Sequence, residues 1–161
     1  MTIINKEHKF IYYLDERLCT DLIVIHHTGS NCDTDLSAEE IHRIHKEAGY
    51  AGIGYHYVVR KSGAIEIGRP EWAVGAHCYS FNTHSVGIHL SGNFNIAYPT
   101  IYQIEATAEL IADISRRYGF KIDSDHIKAH RDLNSTDCPG KNLYADMDLI
   151  RGKANWYYNK F

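Results

Sequence analysis

The stretch Lys128–Gly140, KAHRDLNSTDCPG, offers an imidazole and a thiol, His130 and Cys138, at either side of a short irregular segment. Asp132, Asn134, Ser135, Thr136 and Asp137 lie between them, and Pro139-Gly140 follows. Such side chains bond their own backbone and interrupt regular ladders, so the segment reads as a loop. Imidazole nitrogen and thiolate sulfur are donors that zinc takes in a tetrahedral shell. Two donors do not make a site. The best source of a third is the end of the apolar run LIVIHHTG, which carries His26 and His27. Two histidines and one cysteine would leave a fourth zinc position open for water, the catalytic rather than the structural arrangement. Plainer readings stand beside this one. Taken alone, His26 is a strand-end histidine bonded to backbone, and Cys138 is a buried, inert thiol.

These residues need elements to hold them. Leu22–His26 is short, apolar and β-branched in the middle, bounded by Asp21 and Thr28-Gly29-Ser30. It reads as a central strand buried on both faces, with its histidines at the C-terminal end, where open α/β sheets bind ligands. Ile127–Ala129 is a short strand leading into His130. Ser37–Ala48 is a helix with a Ser37/Glu40 capping box, Ile41, Ile44, His45 and Ala48 on one face, and Gly49 at its end. Tyr55–Lys61 and Ala64–Gly68 form a hairpin about Ser62-Gly63. Val86–Leu90 is a further strand. Thr100–Tyr118 is the strongest helix, with a Thr100/Gln103 box, Arg116 and Arg117 at its negative end, and Gly119 as the stop. Lys9–Leu14 is an edge strand or a packed arm. Ala145–Tyr158 is a third helix weakened by Gly152. The long loop Arg69–Ser85 holds Trp72, His77, Tyr79, Phe81, Asn82 and His84; its length points to function, and its aromatics argue against disorder. The expected fold is α/β: a single domain with a central mixed sheet flanked by helices.

Composition narrows the function. The chain has 161 residues, 44% apolar and 23% charged, as in an ordinary globular domain. A formal net charge of −3 offers no basic surface for nucleic acid. The first residues lack a basic region followed by an apolar run, so no secretory signal is read and synthesis in the cytoplasm is expected. No apolar stretch reaches the ~20 residues of a membrane span. Twelve tyrosines suit grooves that bind sugars or peptides, and 11 histidines hint at metal or acid–base chemistry. Cys19, Cys32, Cys78 and Cys138 are irregularly spaced and do not form a disulfide framework.

The segments IVIHHTG, HKEAGYAGIGYHYVVRKSG, VGAHCYSFNTHSVGIHLSGNF and AHRDLNSTDCPGKNL, in this order, resemble the zinc-dependent N-acetylmuramoyl-L-alanine amidases, a family that includes phage lysozyme-type amidases and peptidoglycan recognition proteins. The likeness runs from about Leu22 to Leu143 and makes residues 1–161 one amidase domain. It implies a zinc site at the sheet edge in a groove, with His26, His130 and Cys138 as ligands. It implies that Tyr55 is catalytic, and that His45, His77 and, less firmly, Asn82 line the substrate groove. Phage members carry Lys two places before the Cys; here Thr136 stands there, as in the catalytic recognition proteins, and can only exchange a hydrogen bond. Zinc lowers the pKa of a bound water from 15.7 to roughly 7 and polarises a carbonyl. Tyr55, with an ordinary pKa of about 10, is a neutral donor for a developing oxyanion, a task Thr136 could share. No general base is evident.

His27 and His56 point to the opposite side in regular strands and read as structural. Asp132 reads as turn-forming or as support for a ligand. His8, His42, His84, His89 and His126 receive no role, and Cys78 reads as an unpaired thiol. The resemblance implies hydrolysis of the amide between N-acetylmuramic acid and L-alanine; a sequence in which no signal is read suits a phage or prophage endolysin that reaches the wall through a holin, with a bacterial enzyme delivered by another route as the other origin. Alternatives are a non-cutting muropeptide-binding module, in which the zinc set is usually broken at the Cys, and a cytosolic recycling amidase for anhydro-muropeptides, which usually carries Asp in place of Cys138. No protein partner is implied.

Overall fold

A computed structural model describes residues 1–160. Six strands form one mixed sheet: β1 Ile3–Ile4, β2 Leu22–His27, β3 Tyr57–Val59, β4 Ile65–Ile67, β5 Ser85–Leu90 and β6 Ile127–Ala129. Their order is β1-β4-β3-β5-β2-β6. Only the β3/β4 hairpin is antiparallel, so β3, β5, β2 and β6 run together. Every residue of β2 and of β5 is buried, and β2 opens on the continuous apolar run that a strand covered on both faces requires. Gly63, at φ 88°, turns the hairpin.

Four helices cover the sheet: α1 Ala38–Glu47, α2 Ile101–Tyr118, α3 Lys141–Ala145 and α4 Met147–Lys160. Both capping boxes form, Ser37 with Glu40 and Thr100 with Gln103. On one face, Ile23 and Ile25 of β2 share a core with Ile104, Ile111 and Ile114 of α2 and Ile150 of α4. Each such side chain contributes about 1.5–3 kcal/mol of burial. On the other face, Leu22 and Val24 pack with Cys78, Phe81 and Leu133. Nearby, Ala38 and Ile41 of α1 pack with Ile53 and Val58. His26 points to this second face, and the two strand ends that flank it carry the chemistry.

Several expectations change. Of the two readings of Lys9–Leu14 the packed arm is the one that forms, with Phe10 against the α1 cluster and Ile11 N–H bonded to Ala51 O; the edges of the sheet are β1 and β6. On α1 the inward residue is His42 rather than Ile44, which is 40% exposed. The His42 ring accepts from Ile53 N–H and donates to Lys9 O, and these two bonds draw it inward. The tail forms α3 before α4, and Gly152 sits inside α4 without ending it. The loop at 69–85 is tied down: Arg69 donates to the carbonyls of Ile53, Val74 and Gly52. Glu71 accepts from Arg117 and Tyr118 of α2. No helix among the described residues is long and apolar enough to cross a membrane.

Candidate metal centre

Strand register brings the donors together. Ile25 pairs with Ala129, so His26 lies beside His130 at the C-terminal ends of β2 and the edge strand β6. One 3₁₀ turn, His130–Asp132, starts the loop. Asp132 caps that turn, accepting from Ala129 N–H and from the Tyr144 hydroxyl. Arg131 N–H donates to Cys138 O and closes the loop, which returns the thiol to the strand ends. Gly140 lets the chain leave: a Cβ there would lie 2.6 Å from the Phe94 backbone, at φ 87°. His26, His130 and Cys138 place one donor atom each within 4.8 Å of one another, the only such group of three or more among the described residues.

The donor set fits zinc. His26 Nδ1 lies 3.7 Å from Cys138 Sγ, and a tetrahedral zinc bound at ordinary N and S distances separates two such atoms by roughly 3.6 Å. The far edges of both imidazoles are held by the protein. His130 Nε2 donates to Asn134 Oδ1 at 2.9 Å, which leaves Nδ1 as the free lone pair. His26 Nε2 lies 2.9 Å from His77 Nδ1. With His26 Nδ1 turned to the sulfur, its proton sits on Nε2 and donates to His77. His77 Nε2 then faces Ser85 Oγ at 3.3 Å. Burial holds the His26 and His130 pKa values below the ordinary range, with His77 and His130 adding to the effect at His26. Both rings are therefore neutral, as ligation requires. Burial pushes the Cys138 thiol up to about 12, so binding a metal must release its proton.

Tyr55 stands over His26, with ring centres 5.0 Å apart. His45 and His89 flank it at 5.5 and 4.8 Å. Burial, and then the nearby Cys138, raise the Tyr55 pKa above its usual value, so the hydroxyl is a neutral donor. His45 Nδ1 accepts from Gly54 N–H at 2.9 Å, which puts its proton on Nε2. Thr136 Oγ1 accepts from Cys138 N–H at 3.2 Å and keeps its own proton to give.

The other nominated residues sit further back. Both ring nitrogens of His77 are engaged by His26 and Ser85, so it lies behind a donor rather than presenting a nitrogen to a ligand. Asn82 Oδ1 accepts from the amides of His77 and Cys78 and shapes the turn that carries His77. Gly87 makes room for that ring: a Cβ there would meet His77 Cγ at 2.6 Å. His27 points to the opposite face and accepts from Phe94 N–H, while its own amide faces Cys138 Sγ. His56 accepts from Gly87 N–H and donates to Ala73 O. Asn134, which holds His130 and also accepts from the Cys78 thiol, carried no sequence signal beyond its place in a polar loop.

The N-acetylmuramoyl-L-alanine amidase family model (Amidase_2) matches residues 16–141. The chain is 31% identical over 129 residues to an endolysin of Klebsiella phage KP32, covering 77% of this chain and 83% of that one. It is 34% identical over 139 residues to peptidoglycan-recognition protein SC2 of Drosophila melanogaster, covering 83% and 73%. Among solved structures, the N-acetylmuramoyl-L-alanine amidase LysC of Clostridium intestinale superposes with a TM-score of 0.87 at 34% identity, over 96% of this chain and 98% of that one. The chain belongs to the N-acetylmuramoyl-L-alanine amidase family.

Proposed function

We propose that this amidase works with one zinc ion held by His26, His130 and Cys138, and that it hydrolyses the bond between the lactyl carbonyl of N-acetylmuramic acid and the L-alanine nitrogen in wall peptidoglycan. The observation that carries the reading is the convergence of two neutral imidazoles and a thiol from distant segments, with the free nitrogens turned inward. When bound, zinc supplies Lewis acidity toward water and the scissile carbonyl.

The chain's own residues do the rest. His77 and Asn134 hold the two imidazoles by their outer nitrogens, which fixes tautomer and aim. Tyr55 donates its proton in a hydrogen bond to the oxygen on which charge develops, the interaction that grows strongest in the transition state. Thr136 offers a second hydroxyl donor beside Cys138. His45 carries Nε2–H beside Tyr55, suited to a carbonyl of the substrate. The loop carboxylates serve neighbours: Asp132 holds Ala129 and Tyr144, and Asp137 accepts from Asn95.

The likeness to phage endolysins and to LysC supports an endolysin that acts on the bacterial wall. Purified sacculi test the reading. Turbidity should fall with the zinc-loaded protein, stop with a chelator and resume on adding zinc. Binding without loss of turbidity would mark a non-cutting recognition module, and activity on soluble anhydro-muropeptides alone would mark a recycling enzyme.

A further inference from the structure

Tyr55 is aimed by packing alone. No hydrogen bond among the described residues holds its hydroxyl, so its direction depends on packing, against the cluster of Ile41, Ile53 and Val58 and against the rings beside it. Of the nearest three, His26 faces the metal centre and His45 offers a donor to substrate. His89, the nearest at 4.8 Å, has neither task.

His89 lies opposite His26 in the β2/β5 register and is 1% exposed. Its Nε2 is 3.0 Å from Thr28 Oγ1, and the same oxygen accepts from Gly92 N–H at 3.1 Å. A hydroxyl both donates and accepts, so this pair closes whichever ring nitrogen bears the proton. Nδ1, by contrast, is buried and reaches no residue other than its own backbone. The Thr28 bond fixes the rotation of this ring, which lies directly against Tyr55. Thr28 follows β2 and Gly92 follows β5, so one small network ties both strand ends to the surface on which Tyr55 lies.

We propose that His89, pinned through Thr28, is a positioning residue that sets where the Tyr55 hydroxyl points during hydrolysis. The inference rests on Tyr55 being the oxyanion donor.

The test uses the full chain loaded with zinc. His89→Ala should lower kcat by about 10–100-fold, the usual penalty for misplacing a reacting group by about an ångström, while KM and zinc content hold. His89→Phe keeps a ring of similar volume without the Thr28 anchor and should recover only part of the lost kcat; wild-type kcat in this variant would overturn the role of the anchor. It also covers the case in which the alanine variant does not fold, as judged by thermal melting. In a Tyr55→Phe background there is no hydroxyl to aim, so His89→Phe and His89→Ala should each change kcat less than about twofold. Wild-type kcat in folded His89→Ala overturns the proposal, and so does a full loss that persists in the Tyr55→Phe background. Unchanged turnover in Tyr55→Phe alone would remove the hydroxyl from the reaction, and with it both the reading of Tyr55 and the role of His89.

Discussion

His77→Ala is the most informative perturbation of the metal centre. The His26 ring is 1% exposed, so once the acceptor at 2.9 Å is gone its Nε2–H loses the partner that the fold supplies. A buried donor stranded in this way costs about 1–3 kcal/mol. At ~1.4 kcal/mol per tenfold, that is roughly 5–150-fold in an equilibrium constant. Without metal His26 can rotate to relieve the loss, so the cost falls on the loaded form. Loss of an outer partner to a metal-binding histidine weakens affinity by ~10–100-fold, which lies within the same range. Competition for zinc against a chromophoric chelator at neutral pH reads this directly. Gly87→Ala gives an independent arm, because its Cβ would press on the His77 ring at 2.6 Å without altering any polar group. It should weaken zinc in the same direction. Zinc affinity within twofold of wild type in both variants would refute the support role of His77.

Tyr55→Phe should keep its zinc and lose about 10²–10³ in kcat, as when one oxyanion donor is removed; equal turnover by single-turnover kinetics would exclude the hydroxyl. Cys138→Ser should emerge without stoichiometric zinc by elemental analysis and without activity, and a fully loaded serine variant would contradict the ligand assignment. Stability should fall with acid. His56 and His89 are held at about 3, chiefly by burial, against an ordinary 6.5. As pH drops below about 6.5 the unfolded chain takes these protons and the folded chain does not, so each ring costs up to ~1.4 kcal/mol per pH unit until its folded pKa is reached. Denaturant midpoints measured from pH 7 to pH 4 should decline, and a flat profile would contradict the burial of these rings as neutral groups.

Elements with local signals were legible in the sequence. The two capping boxes, the stop at Gly119 and the Ser62-Gly63 turn are chemistry within four residues, and all form. The apolar run of β2 announces a strand covered on both sides, whereas Val86–Leu90 showed a strand without showing that both its faces are covered. What the sequence obscured depends on contacts between distant segments. His42 replaces Ile44 on the inner face of α1 because Ile53 and Lys9 supply its partners. The edge strand at Ile3–Ile4 is two residues long and has no pattern to read. The three donors were nominated from residue chemistry and family likeness, but periodicity could not say that His77 backs His26 or that Asn134 holds His130. Those roles follow from where a long loop and a polar turn settle on the sheet. The same holds for His89, one histidine of 11 in sequence and a ring against Tyr55 in space.

The central claim is that His26, His130 and Cys138 hold one zinc ion that this amidase requires to cut between N-acetylmuramic acid and L-alanine. Mass spectrometry of the fragments released from defined peptidoglycan, by zinc-loaded and by metal-stripped protein, tests it most directly. We expect peptides with a free L-alanine amine and glycans with free lactyl carboxylates from the loaded protein only. Cleavage at a glycosidic or peptide bond, or the same fragments from the stripped protein, would contradict it.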